Sequence, residues 1–265
     1  MPGFASPTSE LAGSSGEPVD DLGLAVRVPS RVERVVSLVP SLTESVALSG
    51  PGLLVGATDW CTHPPDLSVT RVGGTKNPDV AAVLDLQPDV VVANDEENRP
   101  ADLAALRKSG VAVWVTAPTT VAEALMSLDR MLRLACRLDR PAWLDDAEAV
   151  WSAPYDVERR RAVVPIWRRP WMVLGRDTFA GDMLARLGVD NVLAGHAERY
   201  PRVELSDLPS YDLVVLPDEP YAFSPDDGPE AFPGVDVRCV SGRHLTWYGP
   251  SLVEARVLLT RQLQG

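Results

Sequence analysis

Cysteine is scarce in this 265-residue chain. Cys61, Cys136 and Cys239 form an odd set with no CxxC spacing, which argues against a disulfide framework and against a structural zinc site. Histidine is equally sparse, and His63, His196 and His244 lie far apart. No stretch approaches the ~20 apolar residues that a membrane-spanning helix needs, so membrane insertion is not expected. Positive charge is in deficit: 25 Lys+Arg face 37 Asp+Glu, a formal net charge of -12. A field of that sign repels phosphate backbones and anionic headgroups, which argues against nucleic acid as a partner. Catalytic signatures are missing too, with no GxSxG elbow, Walker loop, helix-opening GxGxxG or HExxH. Residues Met1 to Asp21 are rich in Ser, Gly, Pro and acids and show no basic n-region, apolar h-region or lipid-accepting cysteine. The expectation is a cytoplasmic protein, or an extracytoplasmic one if a leader is missing.

Apolar residues, at 45%, are plentiful enough for a sizeable core, and 23% charged residues is an ordinary globular share. Val35–Val39 is a short β-branched run ending at Pro40, which reads as a buried strand. Ser41-Leu42-Thr43-Glu44 then has the form of a capping box opening a helix that ends near Gly50. Further strands are expected at 53–57, 89–93 and 111–116, with helices at 79–86 and 100–109. Strands alternating with helices indicate a parallel sheet covered on both faces. A helical stretch from about Thr120 to Leu138 carries Leu125, Leu128, Met131, Leu132 and Ala135 at three- and four-residue spacing. Pro141 interrupts it, and helical pattern resumes from Ala142 to about Arg160.

The second half repeats this logic, with strands at 162–167, 172–174, 212–216 and 235–240 and helices at 178–187 and 251–263. The run Pro88-Asp89-Val90-Val91-Val92-Ala93-Asn94-Asp95-Glu96 has a counterpart in Tyr211-Asp212-Leu213-Val214-Val215-Leu216-Pro217-Asp218-Glu219. The expected class is therefore α/β, two similar Rossmann-like lobes with parallel sheets. The divisions are a flexible tail over 1–31, a first lobe over 32–118, a linking helical segment over 119–160 and a second lobe over 161–265.

Two runs point further: Arg34-Val35-Val36-Ser37-Leu38-Val39-Pro40-Ser41-Leu42-Thr43-Glu44, and Leu54 through Trp60-Cys61-Thr62-His63-Pro64-Pro65. With Gly73-Gly74-Thr75, Leu86-Gln87-Pro88-Asp89-Val90-Val91 and Trp247-Tyr248-Gly249-Pro250, they resemble the helical-backbone class of substrate-binding proteins. These are the ABC-importer components that handle vitamin B12, siderophores and haem. The resemblance spans nearly all of Val32 to Leu263. It implies two α/β lobes joined by a long rigid helix, with a largely preformed ligand cleft between them. It also implies a small-molecule ligand, cobalamin or an iron chelate, with no covalent cofactor, and an importer permease as partner. Permease-docking relatives carry a glutamate on each lobe; here those positions fall at Ala81 and near Ser206, which argues against standard docking.

Ligands of open α/β sheets gather outside the carboxyl ends of the strands. Trp60, which aligns with a ligand-packing aromatic of the B12 binders, is one candidate, with a core plug as the alternative. Glu96, Glu97, Asn98 and Arg99 follow a predicted strand, as amide or cation partners or as a solvated helix start. Trp167, Arg168 and Trp171 open the second lobe with an indole–guanidinium cluster, or cover its core. Glu219 and Tyr221, then Arg243, His244, Trp247 and Tyr248, follow the last two strands. His244 is the candidate axial ligand to a chelated metal. Cys61 and His63 lack further ligands at a recognisable spacing, so no protein metal site is expected. The expected function is a non-catalytic binding protein for a corrinoid or metal chelate. The alternatives are a cytosolic enzyme using the same cleft and a ligand-free sensor or interaction module.

Overall fold

The computed structural model describes residues 16–153 and 157–265. In chain order its elements are β1 (Val35–Ser37), α1 (Pro40–Ser49), β2 (Leu54–Ala57), β3 (Thr70–Arg71), α2 (Val80–Asp85), β4 (Val90–Asn94), α3 (Pro100–Lys108), β5 (Ala112–Thr116) and α4 (Val121–Arg130). They continue with α5 (Ala142–Ser152), β6 (Arg160–Val163), β7 (Pro165–Trp167), β8 (Met172–Val173), α6 (Phe179–Arg186), β9 (Val189–Asn191), β10 (Leu213–Pro217), β11 (Asp236–Val240), α7 (Gly242–Thr246) and α8 (Leu252–Gln264). Two units divide the chain. One takes it up to Ala117 and again over Met126–Pro141; the other takes Pro118–Leu125 and Ala142–Gly265.

The first unit holds a five-stranded sheet in the order β3-β2-β1-β4-β5, parallel throughout. All five residues of β4 are buried, as expected of a strand covered on both faces. Val36, Leu38, Val91, Ala93, Leu103, Leu106, Val113 and Val115 share one core cluster. Each fully buried Val or Leu contributes roughly 1.5–3 kcal/mol of transfer free energy. The continuous apolar runs therefore take the inner positions, and two-residue β3, exposed at both positions, takes the edge.

Helix α1 corrects the capping box. Pro40 occupies the first turn and Val39 is the N-cap with no side-chain bond, so Ser41 lies inside the helix. Proline has no N–H to satisfy and a fixed φ suited to that position, so the helix begins before the serine. The threonine hydroxyl of Thr43 turns back to the Val39 carbonyl at 2.9 Å instead.

From residue 16 onward the expected tail is not a tail; residues 1–15 of it, with most of the stretch read for a leader, lie outside the described residues. Asp20 is 2% exposed and accepts from the Leu22 and Leu24 amides, each at 3.0 Å, closing its own turn. Asp21 accepts from the Ala117 amide (2.9 Å), from Arg130 Nη1 (2.9 Å) and from the Ser127 hydroxyl. The Arg130 guanidinium also lies over the Trp114 ring, 5.7 Å from its centroid. The Asp21 carboxylate and one arginine thus clasp this segment to the end of β5 and to α4.

The long helical stretch ends at Ala135 rather than Leu138, because α4 passes into a π-helical turn over Met131–Ala135. It is no separate segment: its beginning belongs to the second unit and its end to the first.

The second unit holds a parallel sheet in the order β11-β10-β6-β9 and an antiparallel ribbon of β7 and β8. Helix α5 stops at Ser152, well before Arg160, since a residue preceding proline (Pro154 follows in the sequence) is driven from the helical region. Arg160 instead opens β6 and pairs with Asp236 at 2.7 Å. The strand expected over 162–167 is two, because Pro165 has no N–H to continue the ladder. The internal sequence match has a structural counterpart. The Asp95 amide bonds to Thr116 O at the end of β5 (3.0 Å), and the Asp218 amide bonds to Val240 O at the end of β11 (3.1 Å). No helix among the described residues is long and apolar enough to cross a membrane.

Two outcomes follow. Asp21→Ala removes three bonds and the carboxylate partner of half-buried Arg130, so unfolding free energy should fall by about 2 kcal/mol in urea titrations, and an unchanged midpoint would show that the clasp contributes nothing. Cys61 and Cys136 are buried, and burial alone pushes the Cys136 thiol up to about 12. At pH 8 a thiol reagent should therefore modify only the half-buried Cys239 in the native protein and all three cysteines after unfolding.

Candidate functional site

Parallel strands deliver all their carboxyl ends to one edge of a sheet, so the loops leaving those ends are brought together by topology. In the first unit these are the loops after β1, β2, β3 and β4. Trp60 stands on the loop after β2 and is 67% exposed, which overturns its alternative as a core plug. Its neighbours explain how an indole is held out in water. Thr58 and Cys61 are fully buried, and the Cys61 sulfur receives the Thr43 hydroxyl at 3.0 Å and lies 3.1 Å from the Thr58 hydroxyl. Arg71 ties the same turn by donating to the Thr58 and Cys61 carbonyls at 2.9 and 2.8 Å.

The turn over 73–77 adjoins Trp60: the Asp59 amide bonds to Gly73 O at 2.8 Å, and a Cβ added to Gly74 would lie 3.6 Å from the indole nitrogen. It also meets the loop after β4, where Lys76 donates to the Glu96 carbonyl oxygen and Asn98 to Thr75 O at 2.9 Å. Trp60 and the acidic loop therefore belong to one cluster. Within it Asn98 has a structural task. At 2% exposure it receives the Asn94 amide (2.9 Å) and donates to Leu38 O (3.2 Å), locking the strand ends together. Arg99 precedes α3 and pairs with Asp102 at 2.8 Å. Glu96 is half-buried and Glu97 exposed; desolvation raises the Glu97 carboxyl above its ordinary range, with Lys76 opposing and Glu96 reinforcing the rise.

In the second unit the loops after β10 and β11 meet. Gly242 is pressed against the β10 exit: a Cβ there would come within 2.5 Å of the Glu219 nitrogen, so only glycine fits. Its amide donates to Asp218 at 2.6 Å. This approach sets the Trp247 indole nitrogen 3.1 Å from the Glu219 carboxylate and lays Arg243 over the Trp247 ring at 5.6 Å. Burial raises the Glu219 pKa; the Trp247 bond opposes it, Asp218 adds to it and Arg243 lowers it.

His244 is not placed to coordinate a metal. Ser241 lies 2.7 Å from Nδ1 and Glu254 2.9 Å from Nε2, so both ring nitrogens are engaged. Tyr248, expected in a ligand wall, is 6% exposed and packs edge-on against Phe179 at 5.6 Å. Trp167 is 43% exposed and meets Tyr221 edge-on at 5.6 Å. Trp171 instead covers the core, stacked on Phe223 at 6.1 Å. Between them Arg168 is consumed by Asp227 and Glu230, and Tyr221 donates to Asp227 at 2.7 Å.

Sequence reasoning missed Lys76, Arg71, Asp218, Asp227, Glu230 and Glu254, the groups that fix the candidates in place. Asp218 alone had a signal, its place in the internal match. Among the described residues no three His, Cys, Asp or Glu side chains are arranged to hold a metal ion. Ala81, on α2, and Ser206 are exposed, and the nearby Asp79 carboxylate caps α2 through the Ala82 amide at 3.0 Å. At the opposite, amino end of the second sheet lies a cavity of about 60 Å³ lined by Glu158, Arg160, Gly188, Leu213 and Leu263, too small for a macrocycle.

Known proteins show the same build. The vitamin B12-binding protein of Vibrio cholerae is 23% identical over 190 residues, 68% of each chain. The crystal structure of the periplasmic vitamin B12-binding protein BtuF of Vibrio cholerae superposes with a TM-score of 0.71 at 19% identity, covering 89% of this chain and 98% of that one. The apo periplasmic heme-binding protein RhuT of Roseiflexus sp. RS-1 gives 0.71 at 21% identity, covering 88% and 98%. The family model described as "Periplasmic binding protein" matches residues 35–212, more than half of the sequence. With that match and the paired parallel sheets, the chain belongs to the periplasmic binding protein family and has the fold of its helical-backbone class.

Proposed function

We propose that this chain is a non-catalytic binding protein for a small rigid ligand of the corrinoid or metal-chelate class, held by the carboxyl-end loops of its sheets. The observation that carries the reading is Trp60: an indole 67% exposed, fixed by three buried or bonded neighbours at the edge where α/β sheets collect ligands. Leaving so large an apolar face in water has no benefit to the folded unit alone. A flat, rigid ligand covering it would bury on the order of 100 Å² or more of apolar surface with little ordering cost on either side. On the second unit the exposed indole Trp167 offers an apolar face of the same kind, and Glu219, held by the buried Trp247 indole, offers a carboxylate. The names of the relatives, binders of vitamin B12 and of heme, support the same ligand class. As an importer component the chain would meet its permease without carboxylates at Ala81 and Ser206, through other surface groups.

Visible-range titration with cobalamin, haemin and a ferric siderophore tests the reading directly, and saturable binding of none of them would contradict it. Trp60→Ala should weaken binding of the ligand found by about tenfold or more while leaving the melting temperature within about 1 °C, since an exposed side chain adds little to stability. Unchanged affinity would remove Trp60 from the site.

A further inference from the structure

The arginines near the indoles of the second unit are already spoken for. Arg168 is paired with Asp227 and Glu230 and lies over Trp171 at 5.4 Å. Arg243 lies 3.5 Å from Glu254 and over Trp247. Arg169 is exposed beside Tyr221 and has no carboxylate partner among the described residues. Carboxylates meanwhile stand at the strand exit itself: Glu219, fixed by the Trp247 indole, and Asp218, fixed by the Gly242 amide. The first unit differs: Arg99 is paired with Asp102, but Lys76 and Arg71 bond only to backbone carbonyls and keep their charge beside Asp95, Glu96 and Glu97 on the loop after β4.

We infer that the Glu219–Trp247 pair selects the charge of the ligand, admitting a chelate or macrocycle whose rim carries amides or positive charge and rejecting one of the same shape that carries carboxylates. The inference rests on the binding function proposed above. A carboxylate oxygen pair has about four acceptor positions and the indole takes one, so ligand amide N–H groups can fill the rest. A ligand carboxylate would instead meet a fixed like charge in a partly desolvated setting, with Arg168 and Arg243 already paired to carboxylates of the chain. Rejection by a misplaced charge is stronger than preference by an added apolar contact. Trp247 and Gly242 act together here: the indole orients the carboxylate, and the glycine lets the two loops approach closely enough for the bond.

Two corrins of the same ring, cobinamide with amide side chains and cobyrinic acid with carboxylates, provide the test. Titrated by absorbance and tryptophan quenching at low salt, cobinamide should bind about tenfold or more tightly, with the gap narrowing as salt screens the repulsion. Glu219→Gln keeps an acceptor for the Trp247 indole and removes the charge, and should narrow the preference by about threefold or more without changing the melting temperature. Arg169→Gln should leave the preference in place or widen it. Equal or tighter binding of cobyrinic acid, or an unchanged preference in Glu219→Gln, overturns the inference while leaving ligand capture intact. If neither corrin binds, cationic ferrioxamine against ferric citrate poses the same question for iron chelates. Failure of all four contradicts the binding function itself.

Discussion

In the main sheet of each unit, neighbouring strands bond in parallel register, and this constraint sends every carboxyl end of that sheet to one edge. Parallel strands need crossovers that cover both faces, so the strands must be apolar along their length and polar residues can appear only where they end. That is the pattern of β4 and β10: five buried residues each, followed at once by Asp95-Glu96 and Asp218-Glu219. Candidate ligand groups are therefore placed by backbone pairing, and the loops need only fix their orientation.

How they fix it differs between the units. The first uses buried polar side chains, with Asn98 bridging strand ends and Cys61 anchoring the Trp60 turn between two threonine hydroxyls. The second uses close backbone approach at Gly242 and side-chain charge. The Arg168 and Arg243 side chains are largely buried and the carboxylates around them neutralise them there. They remove two guanidinium groups from the electrostatics that a ligand meets. The acidic balance of the whole chain, -12, is thereby sharpened at the strand ends.

The strands that carry the architecture were legible because burial on both faces demands uninterrupted β-branched runs, and the internal match of 88–96 with 211–219 announced their equivalence. Short edge strands such as β3 and β9 had no such signal, since two or three residues carry no period. The capping box at Ser41 was overridden by Pro40, a local rule losing to a stronger one. Trp60, Glu219 and Trp247 could be picked out singly by residue type and place. Their partnerships could not: Trp247 lies 28 residues from Glu219, and Arg168 lies 59 from Asp227. Arg168 and His244 consequently read as available groups, and the fold gives both of them partners. Asp21 was hidden for the same reason, as an acid in a Ser/Gly/Pro-rich stretch whose partners lie just after β5 and on α4.

Hydrogen exchange on the intact protein, with and without a saturating ligand, reads out whether the carboxyl-end loops hold the ligand. Capture by those loops slows exchange in the segments 58–61, 73–77, 94–98, 218–221 and 241–247 and leaves the sheet interiors unchanged. Protection confined to the amino-end residues 157–160 and 187–189, or spread evenly over the chain with no change at those loops, would contradict it.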